Sequence, residues 1–471
     1  MIRTYILTLL SIGLLLSGCG DHKTTEQNAT VANTPTDTAA VAGPPAPEWA
    51  KNATIYEVNI RQFSAEGTFK AVEKQLPRLK EMGVDILWLM PIYPISQTAK
   101  KGTLGSPYAI ADYKAINPNY GTAADLKALV NRAHALGMHV ILDWVANHTG
   151  RDHVWIREHP DWYTLVKGKM IAPLDPNTGK PTDWTDVLDL NYDNPALRSG
   201  MIDAMQYWVR EFDVDGYRCD VAGFVPVDFW AQLRPKLDSI KTVFMLSEWE
   251  DEPKQFDKCF NMNYGWSMHT MMKAIAKGAR KAPDLDSLRS ATQKRFPAWY
   301  YQMLFTQNHD ENSWHGTLTE SFGPAADAMI VLSSTLEGMP LVYNGMESNL
   351  DRRLAFFEKD SINWGTYEKA PFLKALLTLK HRNRALWNGL AGGRAQKIMT
   401  DHDDAVYAFH RQRDNDWVTV VINLSDKTQT FRLMGEGYEG MYTDVFNHQS
   451  LELRPYSSMT LQPWGYRVFT N

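Results

Sequence analysis

"ADLKALVNRAHALGMHVILDWVANH", residues 124–148, carries two periodicities back to back. Leu126, Leu129, Val130, Ala133 and Leu136 recur at helical spacing on one face, Gly137 supplies a left-handed stop, and Val140 to Val145 form a short apolar strand. The strand runs out into polar residues. The same unit returns in "AVEKQLPRLKEMGVDILWLMP" (71–91), with Gly83 as the stop, in "MQYWVREFDVDGYRCDV" (205–221), and more weakly in "LRPKLDSIKTVFMLSEWE" (233–250). Helix alternating with apolar strand implies a parallel sheet covered on both faces. Candidate strands near Ile55, Ile86, Ile141, Tyr217, Phe244, Phe260, Leu304 and Leu341 predict an α/β fold of the (β/α)8 TIM barrel type.

Two regions break the rhythm. Residues 149–191 are long, rich in Trp, Asp and Pro, lack a convincing helix, and read as an insertion (domain B) after the third strand, where long ordered loops serve the site. Beyond residue 385 the period changes to two. "AVYAFHRQRDNDWVTVVINLS" (405–425) is strand, turn and strand, with Arg413 to Asp416 in the turn, and "SSMTLQPWGYRVF" (457–469) closes in the same style. The expected organisation is a barrel over 48–385 and a C-terminal antiparallel β-sandwich domain over 386–471.

At 471 residues, 44% hydrophobic and 22% charged, the chain has the composition of a globular body with a large core. A net charge of −5 without basic blocks excludes a nucleic-acid binder. The start, "MIRTYILTLLSIGLLLSGC", has a short charged lead and an apolar stretch too short for a comfortable membrane span. Its ending, Leu16-Ser17-Gly18-Cys19, resembles the bacterial lipobox, which implies a signal peptide over 1–18 and lipidation at Cys19. Residues 19–47, rich in Thr, Ala, Asn and Pro, read as a disordered tether. The expected location is the cell envelope, lipid-anchored to a membrane outside the cytoplasm. Cys219 and Cys259 are too few for a disulfide framework and read as separate buried thiols.

Barrel enzymes keep their chemistry at the C-terminal ends of the strands. Those positions hold Asp143 and His148, Arg218 and Asp220, Glu248, and His309 and Asp310. Residues i and i+2 of a strand share a face, so Arg218 and Asp220 point together while Cys219 turns to the helix layer. The guanidinium then holds Asp220 ionised, as a nucleophile requires. Glu248 leaves an apolar strand beside Trp249, and burial against a ring raises a carboxyl pKa, which suits a proton donor. Two carboxyls in opposed environments make the acid and nucleophile of a retaining glycosidase. Asp310, a third anion, is placed to stabilise positive charge on a sugar ring. The many Trp and Tyr residues add flat surfaces for sugar faces.

From about Trp49 to its end the chain resembles the α-amylase family of glycoside hydrolases, family 13. "DWVANH" (143–148), "GYRCD" (216–220), "SEW" (247–249) and "FTQNHD" (305–310) are similar, in order, to that family's four characteristic segments, and "GVDILWLMP", "SPYAIADY", "LDLN" and "GMPLVYNGME" resemble further ones. The resemblance implies a retaining mechanism with Asp220 as nucleophile, Glu248 as acid/base and Asp310 as transition-state stabiliser. It implies that Arg218 orients the nucleophile, that Tyr108 stacks on the sugar at the cleaved bond, and that His148 and His309 hydrogen-bond its hydroxyls. Asn147 and Asp189 match side chains that bind calcium in members having that site, two of the six to eight ligands calcium takes.

One departure stands out. Many endo-acting relatives carry Lys-His three and four residues after the nucleophile, where this chain has Gly223 and Phe224. The implied activity is cleavage of α-1,4-glucosidic bonds in starch-like glucans and maltooligosaccharides. The alternatives are an oligosaccharide-specific α-glucosidase, a cyclomaltodextrinase or neopullulanase, or a transglycosylase. A non-catalytic glycan-binding surface lipoprotein would be expected to have shed one of the three carboxylates, and all three are present.

Overall fold

The computed structural model describes residues 43–471. The expected signal peptide, Cys19 and most of the expected tether lie outside the described residues. Eight parallel strands close a barrel: β1 (Ile55–Val58), β2 (Ile86–Leu89), β3 (His139–Trp144), β4 (Gly216–Cys219), β5 (Phe244–Ser247), β6 (Met262–Tyr264), β7 (Gln302–Leu304) and β8 (Met339–Tyr343). They follow one another around the ring in chain order, and β1 completes it by pairing with both β2 and β8, Ile55 opposite Ile86 and Leu341. The sixth strand begins two places beyond the expected Phe260, which lies in the layer between strands and helices.

The period of two sorts the strand residues into layers. Ile86 and Trp88, Phe244 and Leu246, Met262 and Tyr264 fill the barrel interior, while Leu87, Leu89, Tyr217, Cys219 and Met245 pack outward under the helices. The helix Ala123–Ala135 opens with a Thr122–Asp125 capping box and buries Leu126, Leu129, Val130 and Ala133. Leu136 falls past its last turn and is half-buried, and Gly137, at φ +66°, swings the chain into β3. Glycine at 216 is demanded by the sheet itself: φ is +153°, and a Cβ there would lie 1.8 Å from the Phe244 carbonyl oxygen.

The insertion is anchored by a short antiparallel ladder in which His148–Gly150 pairs with Val187–Asp189, His148 opposite Asp189. Between these strands lie a five-residue helix, Val154–Glu158, and a small hairpin, Leu165–Val166 with Lys169–Met170.

The C-terminal strands are β9 (Ala395–Thr400), β10 (Val406–Arg413), β11 (Asp416–Asn423), β12 (Gln429–Met434), β13 (Gly440–Asp444), β14 (Ser450–Leu453), β15 (Ser458–Leu461) and β16 (Tyr466–Thr470). Their hydrogen-bonded order is β14-β13-β16-β11-β10-β9-β12-β15, one antiparallel path in which β9 pairs with β10 at one end and β12 at the other. Phe431 and Leu433 of β12 share a buried cluster with Tyr442, Leu453 and Phe469, so the layers enclose a core. Buried Arg411 joins this sheet to the barrel by donating to the carbonyls of Thr335, Leu336 and Gly393.

The last residues assigned to the tether need correction. Residues 43–47 lie against the body: the Pro45 carbonyl accepts from Arg234 and from Asn261 Nδ2 (2.9 Å), and Gly43 packs on the Trp299 indole. No described helix is long and apolar enough to cross a membrane.

Candidate active site

Arg218 is the centre of the site. It sits inward on β4, opposite Asp143 in register on β3, and its side chain is fully buried. Nη1 donates to Asp143 Oδ1 (2.9 Å) and Asp220 Oδ1 (3.0 Å), Nε donates to the Tyr264 hydroxyl (3.1 Å), and Nη2 lies 2.5 Å from Glu248 Oε1. The guanidinium also faces the rings of Trp88 (5.0 Å), Tyr264 (5.5 Å) and Tyr108 (5.8 Å). A planar fork with several fixed donors can serve three carboxyl groups at once, which a lysine cannot. Surrounding carboxylates hold Arg218 firmly charged against the cost of burial.

Asp220 and Glu248 therefore meet on one guanidinium. Glu248 is pushed up to about 8, first by burial and then by the negative charge of Asp220 and Asp310, with Arg218 opposing. Its second oxygen accepts from the Val221 backbone N–H (2.8 Å). Val221 reaches that donor in the left-handed region, φ +36° and ψ +48°, a strained place for a β-branched residue beside a site. Asp143 also accepts from Trp88 Nε1 and the Tyr108 hydroxyl, both at 3.0 Å, and burial raises it to about 6.

Across the mouth, His309 Nε2 lies 2.8 Å from the Tyr108 hydroxyl and 3.4 Å from Asp310 Oδ2. Its Nδ1 is 2.5 Å from Glu57 Oε1, a fully buried carboxyl on β1. Burial works against charge on His309, but Asp310 and Glu57 overcome it and lift the imidazole to about 9. His148 is buried and lowered by that burial, with Nδ1 3.3 Å from Asn147 Nδ2.

A cavity of about 670 Å³ opens over these groups, lined by Tyr108, His148, Asp220, Glu248, His309 and Asp310. Trp184 of the insertion walls one side, backed by Phe224 (stacked, 5.7 Å) and then Trp249 (5.6 Å). Gly223 and Phe224, three and four residues after Asp220, belong to that aromatic wall. A Cβ at Gly223 would stand 2.2 Å from the Trp249 ring.

Of the expected metal ligands, Asp189 has no basic partner among the described residues, and burial pushes its carboxyl up to about 6. His134, His139 and Asp215 form a separate cluster at the opposite end of the barrel, and Lys241, 2.8 Å from Asp215, supplies its positive charge.

All seven residues expected around the sugar line this cavity or touch those that do. Sequence reasoning passed over Glu57 and Trp88. Glu57 bore the same mark as Arg218, a charge inside the apolar strand "IYEV".

A closed barrel whose strand ends gather three carboxyl groups, Asp220, Glu248 and Asp310, over one cavity has the arrangement of a barrel enzyme's site. The family description "Alpha amylase, catalytic domain" matches residues 25–371, and the chain belongs to this family. It is 28% identical over 405 residues to an α-amylase of Haloarcula japonica, covering 82% of this chain and 58% of that protein, so it spans little more than half that relative's length. A neopullulanase of Thermoactinomyces vulgaris is 26% identical, covering 89% of this chain and 79% of that one. The crystal structure of a maltogenic α-amylase from Thermotoga neapolitana superposes with a TM-score of 0.79 at 30% identity, over 89% of this chain and 98% of that one.

Proposed function

We propose that this protein is a retaining glycosidase that hydrolyses α-1,4-glucosidic bonds in starch-like glucans and maltooligosaccharides. The observation that carries the reading is the meeting of Asp220 and Glu248 on the Arg218 fork, with burial lifting Glu248 to about 8. Retaining enzymes hold their two carboxyls about 5–5.5 Å apart, and adjacent nitrogens of one guanidinium impose a short separation. In the first step an Asp220 oxygen attacks the anomeric carbon as the glycosidic bond breaks, and Glu248 gives its proton to the departing oxygen. Glu248, now ionised, takes a proton from water, whose oxygen attacks the same carbon and releases Asp220. Two inversions leave the configuration unchanged.

Asp310 faces the positive charge that builds on the ring in both steps. Tyr108 stacks on that ring, while His148 and the charged His309 hydrogen-bond its hydroxyls. A second reading, action on short oligosaccharides or transfer to an acceptor sugar, is favoured by the wall of Trp184, Phe224 and Trp249 on the leaving-group side. An apolar wall stacks on sugar and gives water few partners.

Asn147 and Asp189 would hold calcium, and the half-buried Asp189 carboxyl, without a basic partner among the described residues, fits a cation. The ion would supply charge beside the ladder that bears His148. For location we propose a lipid anchor at Cys19 in the cell envelope, supported by the sequence of residues 1–19. Replacing Cys19 with Ala is expected to move the protein from the membrane to the soluble fraction.

The deciding experiment is a product profile on amylose, pullulan and maltoheptaose, beside Glu248→Gln and Asp220→Asn. Mixed short maltooligosaccharides from amylose, lost in both variants, are expected. Cleavage of short substrates alone would favour the second reading, and activity unchanged in the variants would overturn the site.

A further inference from the structure

Trp314 is an exception among the tryptophans. It stands on the one-turn π-helix Glu311–His315, directly after Asp310, and is 48% exposed. Single π turns recur at functional sites. Its indole lies 5.2 Å from Phe356 and 5.6 Å from Phe357, on the loop after β8. Phe356 in turn lies parallel to Tyr108 (6.2 Å, 13°) and nearly so to His309 (6.2 Å, 30°). The rings make a continuous row from the sugar-stacking Tyr108 out to the rim of the catalytic cavity, and all of them line it.

The row is held rigid from behind. Asn312, buried within the π turn, donates to the Arg352 carbonyl (3.1 Å) and accepts from the Leu354 N–H (2.8 Å), tying the turn to the loop. Arg61 fixes that loop again by donating to the Phe356 carbonyl (3.1 Å). An aromatic face held open to water at a cavity rim, rather than collapsed onto its neighbours, is a preformed surface for a ligand.

Its occupant follows from the polarity of the cleft. Glu248 protonates the departing oxygen, so the leaving portion of the substrate lies toward β4, β5 and Trp184. Trp314, Phe356 and Phe357 come from the loops after β7 and β8, three places further around the barrel. We propose that these three residues form a sugar-binding platform for the retained, non-reducing side of the glucan, with Trp314 stacking on the glucosyl units two and three places from the cleaved bond. The platform makes chain length on that side a determinant of affinity. This inference rests on the glucan-hydrolase reading above.

The test is isothermal titration of the full chain carrying Glu248→Gln with maltose, maltotriose and maltohexaose, with and without Trp314→Ala. Affinity is expected to rise with chain length in the parent. Trp314→Ala is expected to weaken maltohexaose binding about tenfold, or about 1.4 kcal/mol, with Trp314→Tyr restoring most of it. A second readout separates the two sides of the cleft in the otherwise unaltered enzyme. The ratio of kcat/KM for nitrophenyl maltotrioside to that for nitrophenyl maltoside, in which every sugar lies on the retained side, is expected to fall by a similar factor in Trp314→Ala. An unchanged chain-length increment, or an unchanged ratio, overturns the platform while leaving the glucan reading intact. If no maltooligosaccharide binds the Glu248→Gln protein and the native enzyme cleaves none, both readings fall.

Discussion

Glu57→Gln isolates the charge behind His309. The native pair joins a fully buried carboxyl to an imidazole lifted to about 9. Glutamine keeps the shape and one acceptor oxygen but removes the charge. Hydrogen bonds to charged groups contribute about 1.5–3 kcal/mol against 0.5–1.5 for neutral ones, so the variant loses about 1–2 kcal/mol of preference for the imidazolium. One pKa unit is 1.36 kcal/mol, which moves His309 down by about one unit, Asp310 still supporting its charge. The native alkaline limb of kcat/KM is expected near 8, from Glu248. The variant's limb is expected to steepen as His309 and Glu248 deprotonate together. Relative to the native enzyme, kcat/KM should fall about a further tenfold between pH 6 and pH 10. Because the folded pKa of His309 lies above its unfolded value, the stability that the imidazole's charge contributes is complete below about 6.5 and lost by about 9. The difference in melting temperature between native and variant should therefore be largest where Glu57 is ionised and His309 charged, and should shrink both in acid, where burial-raised Glu57 takes up a proton, and above pH 9. Parallel profiles, with a constant activity ratio at every pH, would refute the reasoning.

Other consequences can be measured on the same protein. Glu248 has a folded pKa above its unfolded value, so the folded state holds the extra proton and stability falls as pH rises from about 4.5 to about 8. Glu248→Gln should accordingly raise the melting temperature, by an increment that grows over that window, and a flat increment would contradict it. Gly223→Ala drives a methyl into the Trp249 ring and should cost about 1–3 kcal/mol in denaturant unfolding, with a larger effect on transfer to acceptor sugars than on hydrolysis. Calcium at a hundred times its dissociation constant should stabilise the protein by about 2.7 kcal/mol. Asp189→Asn should abolish that gain, and an equal gain in both proteins would remove Asp189 from the site.

The barrel was legible because its signals are local. Gly83 and Gly137 stop their helices and apolar strands follow within a few residues, so β2 and β3 can be found from short windows. Phe260 misplaced the sixth strand by two residues because that strand is only three long and an apolar residue outside it carries the same signal. Arg218, Asp220 and Glu248 announced themselves as charges at the ends of apolar runs. Trp88, Tyr264 and Glu57 act through partners on other strands, and nothing within their own segments says which neighbour closure of the barrel will bring. Phe224 was legible only as a missing Lys-His, since its role depends on Trp184, forty residues earlier in the chain, folding back onto it.

The Arg218 fork has a consequence for how this enzyme can change. Asp143, Asp220 and Glu248 draw on the same two terminal nitrogens, so altering any one redistributes the field felt by the others. Single substitutions in this set will not add, and a scan that assigns each residue its own share of the rate will count the same interaction more than once. A change at one of these positions alters what is tolerated at the rest, so the four are physically constrained as a unit. That interdependence gives a physical reason why short motifs scattered over more than a hundred residues of chain can be recognised together.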